Sequence, residues 1–283
     1  MSKPKADLDT RMKEYEYVTR TYLTRRTPVI IRLDGKAFHT FTRGFNKPFD
    51  EIMVTTMQQT MKYLCENISG CVLGYTQSDE ITLILTDYKK LTTEAWFNNN
   101  IQKICSISAS MATLAFNMFY RENVDKLATT DDVRQPYMTK RSITQSKNTS
   151  MYDLDIPTYK FGFFDSRCFN IPKEEVNNCL LWRQQDATRN SIEALAQSMY
   201  SAKELEGITT KQLQDKMFTE KNVNWNDLPT TLKRGSCCIQ KQIELDNPYM
   251  PGETVVRNIW VIDDEIPIFS QDSEYINSRI IFD

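Results

Sequence analysis

The amino-acid sequence predicts an α+β fold with a ferredoxin-like βαββαβ core. Two observations carry this prediction. Short apolar runs alternate with longer segments whose apolar residues recur at helical spacing, and the elements follow the order strand, helix, strand, strand, helix, strand. The 283 residues are 40% hydrophobic, so there is material for one large domain or two closely packed ones.

The first strand is predicted at residues 27–33. This segment, TPVIIRL, is rich in β-branched residues and ends at Asp34-Gly35, which is a turn signal. Pro48 then suits the start of a helix that runs to about Asn67. Its apolar residues recur at helical spacing: Ile52, Met53, Met57, Met61, Tyr63 and Leu64.

Two strands and a second helix follow. Residues 71–75 (CVLGY) and 81–85 (ITLIL) read as strands, with a tight turn at residues 77–80. A long helix is predicted from Glu94 to about Tyr120. One side of it carries Ile101, Ile104, Ile107, Met111, Leu114 and Phe119.

A polar connection and a last strand complete the predicted core. Residues 125–155 are polar and irregular, which predicts a mobile connection. Residues 161–169 are the fourth strand candidate. The remaining elements are two helices and a strand pair, at residues 172–200, 210–221, 235–245 and 253–262, with a turn at 247–252.

These elements predict two closely packed parts without a linker-like boundary between them. Residues 1–170 form the βαββαβ domain, and residues 171–283 form a helical and β-hairpin extension packed on it.

Composition excludes several classes of site. His39 is the only histidine, which removes histidine-rich metal sites and leaves one candidate for any histidine-based triad. The eight glycines form neither a G-x-G-x-x-G turn nor a P-loop. The net charge of −2 argues against a protein that coats nucleic acid through bulk positive charge.

The sequence favours a cytoplasmic protein. Its seven cysteines lack paired metal-ligand spacing, and Cys237 is adjacent to Cys238, so reduced thiols are favoured over zinc sites or disulfides. No apolar run is long enough to cross a membrane. The polar first residues cannot serve as the apolar region of a signal peptide.

The strongest chemical signal is a pair of carboxylates. Asp34 ends the first strand, and Ser78-Asp79-Glu80 lies between the central strands. Each feature alone is more often a turn. In a ferredoxin-like sheet, however, these strands are neighbours, so Asp34 and Asp79 are expected to converge.

Converging carboxylates imply a cation. Two nearby carboxylates repel unless a cation lies between them, and oxygen ligands favour magnesium. Two such ions stabilise the attacking and leaving oxygens of a displacement at phosphorus. This is the palm arrangement of polymerases and nucleotide cyclases, so residues 1–170 are a candidate catalytic palm.

Six segments resemble, in order and spacing, the tRNA-His guanylyltransferase family. The resemblance covers most of residues 15–239, and the combination of R-x-D-G with Q-S-D-E is highly specific. The segments are residues 32–39 (RLDGKAFH), 46–48 (NKP), 74–80 (GYTQSDE), 164–167 (FDSR), 182–186 (WRQQD) and 233–236 (KRGS).

The resemblance implies roles for individual residues. Asp34, Asp79 and the Gly35 carbonyl would bind two Mg²⁺ ions, and Ser78 and Glu80 would support catalysis. Nucleotide or phosphate contacts fall to Lys36, Ala37, Phe38, His39, Lys47, Ser78, Lys103, Arg167 and Lys216. Contacts with tRNA fall to Arg189, Asn190, Lys233 and Arg234.

For several of these residues, the sequence alone leaves a second interpretation open. Lys47, Lys103, Arg167 and Lys216 are each explained equally well as solvated surface charge. For His39, a hydrogen-bonded histidine in the core is favoured.

The implied reaction is addition of nucleotides to the 5′ end of tRNA. ATP would activate a 5′-monophosphorylated end, and GTP or another nucleoside triphosphate would then be added. Eukaryotic members carry W-R-Q-x-D-C-H-I-N-N, whereas Thr188 replaces the histidine here. The chain therefore resembles the bacterial and archaeal-like branch, which repairs truncated 5′ ends by templated 3′-to-5′ addition.

Alternatives remain open at this stage. They are addition of a non-templated guanosine to tRNA-His, a nucleotide cyclase, and a non-catalytic RNA-binding module. The expected partners are tRNA and nucleotides, with no membrane, in a homo-oligomer that the resemblance suggests is a tetramer.

Overall fold

The computed structural model describes residues 7–139, 158–246, 250 and 254–281. Its strands are β1 (Val29–Gly35), β2 (Cys71–Gln77), β3 (Glu80–Leu85), β4 (Met138–Thr139), β5 (Thr158–Tyr159), β6 (Phe164–Asn170), β7 (Ser236–Asp246) and β8 (Thr254–Asp263). Its helices are α1 (Leu8–Tyr17), α2 (Phe38–Phe41), α3 (Glu51–Asn67), α4 (Ile101–Leu127), α5 (Asp131–Arg134), α6 (Val176–Gln197), α7 (Ala202–Leu205), α8 (Thr210–Lys221), α9 (Thr230–Arg234) and α10 (Glu274–Ile280).

The main sheet is antiparallel and has the strand order β6-β1-β3-β2-β7-β8. Helix α3 lies between β1 and β2 in the chain, and α4 lies between β3 and β6. The first four strands in this order therefore form the predicted ferredoxin-like βαββαβ core, and the α+β fold class is confirmed. The hairpin of β7 and β8 continues the same sheet through β2.

Helices cover both faces of this sheet. Since side chains alternate along a strand, Ile31 and Leu33 pack towards α3 and α4 in one core cluster. Ile30 points the other way and packs with residues of α6 and α10 in a second cluster. The sheet is thus the middle of three layers.

Helix α3 begins at Glu51 because Asp50 caps it. One carboxylate oxygen of Asp50 accepts from the backbone N–H of Met53, and the other accepts from Asn46. Such a cap satisfies backbone donors that the first turn leaves unpaired. The predicted start at Pro48 was therefore three residues early.

Helix α4 buries only part of the apolar side that the sequence predicts. Its buried residues include Ile104, Ala112 and Phe116, whereas Ile107 is 39% exposed and Leu114 is 58% exposed. Small side chains let this helix approach the sheet closely, and Phe116 fills the remaining space. The helix also begins at Ile101, capped by Asn100, and not at Glu94.

Other differences lie near the ends of the chain and in its connections. Helix α1 was not predicted, and none of its residues is buried. Of the predicted irregular connection, residues 140–155 lie outside the described residues, and so does the predicted turn at 247–252 apart from Met250. In the described part of the chain, no helix is long and apolar enough to span a membrane.

Candidate active site

The predicted carboxylates meet at one edge of the sheet. Asp34 on β1 is paired with Glu80 on β3 and with Asp165 on β6. The backbone N–H of Gly35 donates to the carbonyl of Asp79 at 3.0 Å. Three of the predicted catalytic residues are thereby brought together by strand register.

A tight turn between β2 and β3 presents Asp79. Gln77 pairs with Glu80, so Ser78 and Asp79 form a two-residue loop, and Ser78 has a positive φ of 50°. The hydroxyl of Ser78 donates to the Asp79 carboxylate at 3.0 Å. Ser78 therefore contacts the carboxylate that it was expected to support.

Gly235 allows the chain just before β7 to approach this hairpin closely. Its φ is +83°, and a Cβ added there would lie 2.3 Å from the carbonyl oxygen of Thr76. Only glycine fits such a position. The approach allows β7 to pair with β2 at Thr76 and Ser236, next to the turn that carries Ser78.

Burial and charge act on the two acidic residues of the hairpin. Burial raises the pKa of Asp79 above its ordinary value; the bond from Ser78 lowers this pKa in part, and the negative charge of Asp34 raises it. Burial also raises the pKa of Glu80, which Arg183 and Arg32 lower. Asp34 and Asp79 therefore lie close enough to repel, as the sequence predicted.

Glu80 is held by a buried ion network rather than turned towards solvent. Arg183 on α6 lies 3.1 Å from Glu80 Oε2 and 3.5 Å from Asp186 Oδ2. Arg32 Nε lies 3.7 Å from the same Glu80 oxygen. This network ties helix α6 to the hairpin that carries Asp79.

The donor set fits magnesium better than zinc. Among the residues that the structure describes, no three histidine, cysteine or acidic side chains are grouped to hold a metal ion. Asp34, Asp79 and the Gly35 carbonyl offer hard oxygen atoms, while Glu80 is occupied by arginines. Magnesium is commonly bound through one or two carboxylates together with water and substrate phosphates.

A cavity of about 300 Å³ lies next to the hairpin that carries Asp79; Ser78 lines it, whereas Asp34 and Asp79 do not. Four predicted binding residues line it: Lys47, Ser78, Asn190 and Lys233. They come from four separate elements, which the hairpin, α6 and α9 bring together. This volume is at the lower end of the range for small-molecule sites.

The segment that follows β1 has a buried and an exposed part. The ring of Phe38 packs among Phe41, Phe116 and Phe164, so this side chain belongs to the core. Lys36, Ala37 and His39 are exposed.

The favoured interpretation of His39 as a core histidine is wrong. The short helix α2 turns its Phe38 ring inward and leaves the next side chain in solvent. His39 instead lies near enough to Asp79 that its charge lowers the pKa of that carboxyl.

Arg167 also lies at the site. Its guanidinium is 3.9 Å from Asp34 and 3.1 Å from Asp165. Asp165, Asp186 and the paired arginines of the Glu80 network were not predicted as site residues. For Asp165 the signal was its position at the start of the strand that pairs with β1.

The remaining predicted cations lie apart from the cavity. Lys103 is exposed in the first turn of α4, and that turn lies beside Cys168, three residues beyond Asp165 on β6. Lys216 lies over the ring of Tyr200, at 4.9 Å, and 3.6 Å from Glu220.

Lys216 nevertheless has an indirect link to the site. Tyr200 and Lys47 both line a shallow groove of about 710 Å³. The groove therefore connects the neighbourhood of Lys216 with the cavity that Lys47 also lines.

The predicted tRNA contacts are distributed over two helices. On α6, Arg189 pairs with Asp186, and Asn190 lines the cavity. On α9, Lys233 donates to the carbonyl of Asn226 at 2.6 Å. The carbonyl of Arg234 accepts from Tyr75 at 2.6 Å.

Comparison with known proteins agrees with this geometry. A family model described as tRNA(His) guanylyltransferase matches residues 9–172. An uncharacterised protein of Acanthamoeba polyphaga mimivirus is 28% identical, over 96% of this chain and 87% of the viral protein.

Two solved structures are also similar. One is a bacterial tRNA(His) guanylyltransferase-like protein in complex with ATP, which is 40% identical with a TM-score of 0.78 and covers 98% of this chain and 100% of its own. A second such structure, in complex with GTP, is 38% identical with a TM-score of 0.74, and covers 97% and 99%.

Proposed function

Because this chain belongs to the tRNA(His) guanylyltransferase family, a family of nucleotidyltransferases, we propose that it adds nucleotides to the 5′ end of tRNA in the 3′-to-5′ direction. The observation that carries the proposal is the meeting of Asp34 and Asp79 next to Ser78, which lines a cavity of about 300 Å³. The solved relatives in complex with ATP and GTP support these nucleotides as its substrates.

Magnesium is the proposed cofactor. Asp34, Asp79 and the Gly35 carbonyl would hold two ions, which supply charge to the attacking and leaving oxygens of an in-line displacement. Ser78 orients the Asp79 carboxylate through its hydrogen bond. Arg167, 3.9 Å from Asp34, would neutralise a phosphate beside the carboxylates.

The proposed reaction has two displacements at phosphorus. An oxygen of the tRNA 5′-monophosphate attacks the α-phosphorus of ATP, and pyrophosphate leaves. The 3′-hydroxyl of the incoming nucleotide then loses its proton and attacks the activated 5′ phosphorus, and AMP leaves. Both steps place phosphates beside one pair of carboxylates. Separate cations, here Lys47, Arg167 and Lys233, would hold two sets of phosphates better than one glycine-rich loop.

For the choice of nucleotide, we propose templated repair of truncated 5′ ends. Thr188 stands where eukaryotic relatives carry histidine, and its hydroxyl donates to the Gln184 carbonyl within α6 at 2.9 Å. A threonine has no imidazole with which to recognise one specific tRNA, and this hydroxyl is bonded within the helix. The test is addition to tRNAs that lack their first nucleotide, with the opposing base varied through all four identities.

The structure argues against an RNA-binding module of the open-sheet type. Such modules stack bases on an uncovered sheet face, whereas here α3 and α4 cover one face and α6 and α10 cover the other. Incubation with GTP alone, followed by a search for a cyclic product, distinguishes a nucleotide cyclase from the proposed nucleotidyltransferase.

We also propose that the chain assembles into a homo-oligomer, for which the family resemblance suggests a tetramer. It is supported by apolar side chains that α4 leaves exposed, namely Ile107, Leu114 and Met118. Sedimentation of the purified protein tests this part.

A further inference from the structure

Trp182 is an exposed indole on helix α6, above the sheet face that carries Arg32 and Asp34. Its exposed fraction is 52%. The guanidinium carbon of Arg183 lies 3.4 Å from the ring centroid, and that of Arg32 lies 5.6 Å away. Both arginines are largely buried and are bound to Glu80. One side of the indole therefore packs on two arginine side chains that Glu80 holds in position. The rest of the indole surface is exposed to solvent.

Helix α6 joins two flanks of the carboxylates. At Trp182 it covers β1, next to the outer strand β6. Further along, Ala187, Asn190 and Ser191 line the cavity, together with Gln77 of β2 and Gly235 just before β7. In the strand order, Asp34 lies on the strand that Trp182 covers, and Asp79 lies in the turn between β2 and β3, nearer the cavity. The indole is thus on the Asp34 side of the carboxylates, and the cavity is on the Asp79 side.

The Trp182 flank also carries an accessible cation. Arg167 is paired across the strands with Arg32, and its side chain is half exposed. An aromatic face beside a cation is the combination by which proteins hold unpaired bases and their phosphates. Because this flank is open to solvent, it can admit a polymer that extends beyond the site.

We propose that Trp182 is a stacking surface for a nucleobase at the acceptor end of tRNA, with Arg167 bound to a neighbouring phosphate. This inference rests on the proposed function and assigns the two flanks. The cavity receives the free nucleotide, and the Trp182 flank receives the polynucleotide. A base that stacks on the indole would orient the 5′ phosphate towards Asp34 and Asp79.

The test compares Trp182→Ala, Trp182→Phe and the control Tyr17→Ala. Tyr17 is also an exposed aromatic residue near an arginine, Arg20 at 5.8 Å, but it lies on α1, which buries no residue. The dissociation constant is measured for tRNA lacking its first 5′ nucleotide, and KM is measured for ATP. Circular dichroism and urea unfolding confirm that each variant is folded.

We expect Trp182→Ala to weaken tRNA binding about ten-fold, the lower part of the range for one stacked base, with KM for ATP unchanged. Trp182→Phe keeps a π-face and should retain most of the affinity. Tyr17→Ala should bind tRNA like the parent protein.

Fluorescence gives a second readout that needs no truncated side chain. The chain has four tryptophans, and a base stacked on Trp182 should quench its emission. The quenching that tRNA causes in the parent protein should be largely lost in Trp182→Phe. This comparison holds even if Trp182→Ala does not fold.

Two results would overturn the inference. Unchanged tRNA binding in Trp182→Ala, with the same quenching in Trp182→Phe, would show that no base stacks there. A raised KM for ATP with normal tRNA affinity would assign the indole to the free nucleotide instead. Failure of the parent protein to add nucleotides would refute the proposed function, whereas the binding and fluorescence measurements would still test Trp182.

Discussion

The guanidinium of Arg183 lies 3.1 Å from Glu80 Oε2 and joins helix α6 to the hairpin that presents Asp79. Both partners are largely buried, and Asp186 lies 3.5 Å from the same arginine. Helix α6 is therefore linked directly to the hairpin of the proposed metal site. Loss of the ion pair between Arg183 and Glu80 would disturb the carboxylates as well as the cavity.

The first prediction concerns this ion pair. Arg183→Ala should lower the free energy of unfolding by about 3–5 kcal/mol, because it leaves a buried carboxylate with less compensation. Urea unfolding measures the change. Lys13→Ala, which breaks the exposed pair with Asp9, is the control and should change stability by less than about 1 kcal/mol. Equal effects of the two substitutions would refute the buried network.

A second prediction concerns pH in magnesium-free buffer. The folded-state pKa of Asp79 is raised by burial and by Asp34, so folding favours the protonated form of this carboxyl. Its contribution to stability is present below the ordinary aspartate pKa and is lost as pH rises through the raised folded pKa. Asp79→Asn should therefore raise the neutral-pH unfolding temperature of the metal-free protein and flatten this part of its pH dependence.

Magnesium should act in the opposite direction on the parent protein. A cation between the carboxylates favours their ionised forms, so added magnesium should raise the unfolding temperature at neutral pH and should have a smaller effect on Asp79→Asn. Identical magnesium responses of the two proteins would contradict the metal assignment.

The third prediction concerns Lys47, which lines the cavity beside Ser78. If it binds a triphosphate there, Lys47→Ala should raise KM for the nucleotide by about ten-fold or more, the scale of a lost charge-assisted contact. Its affinity for tRNA should change much less. Lys62→Ala, which alters an exposed lysine paired with Glu66, is the matched control. A loss confined to tRNA affinity would show that Lys47 contacts the phosphate backbone of tRNA instead.

The fourth prediction is template dependence. The nucleotide that is added should complement the facing 3′-strand base in several tRNA species, because the protein then needs to recognise mainly helical shape and phosphates. Sequencing of the extended 5′ ends measures the choice. Guanosine added regardless of that base, and only to tRNA-His, would favour the guanylyltransferase alternative.

Much of the core and the central carboxylates were predictable from the sequence because they depend on local patterns. The β-branched apolar run at β1 and the turn signal at residues 77–80 locate Asp34 and Asp79 without knowledge of distant contacts. The partners of Glu80 were not predictable in the same way, since Arg183 is 103 residues away in the chain. Register, and not pattern, places Asp165 beside Asp34.

Exposure was the least predictable property. The apolar side chains Ile107 and Leu114 follow helical spacing, yet α4 buries Ala112 and Phe116 instead. The short helix α2 likewise leaves His39 in solvent. In both cases, the packing of neighbouring elements decided which side of the helix is buried.

The most direct test of the central claim is magnesium-dependent incorporation of a labelled nucleotide into tRNA that lacks its first 5′ residue. The parent protein should extend this end only with magnesium present. Asp34→Ala and Asp79→Ala should remain folded by circular dichroism and should lose incorporation by orders of magnitude. Incorporation near the parent rate in either folded variant, or in the presence of a chelator, would contradict the proposed two-metal transfer at these carboxylates.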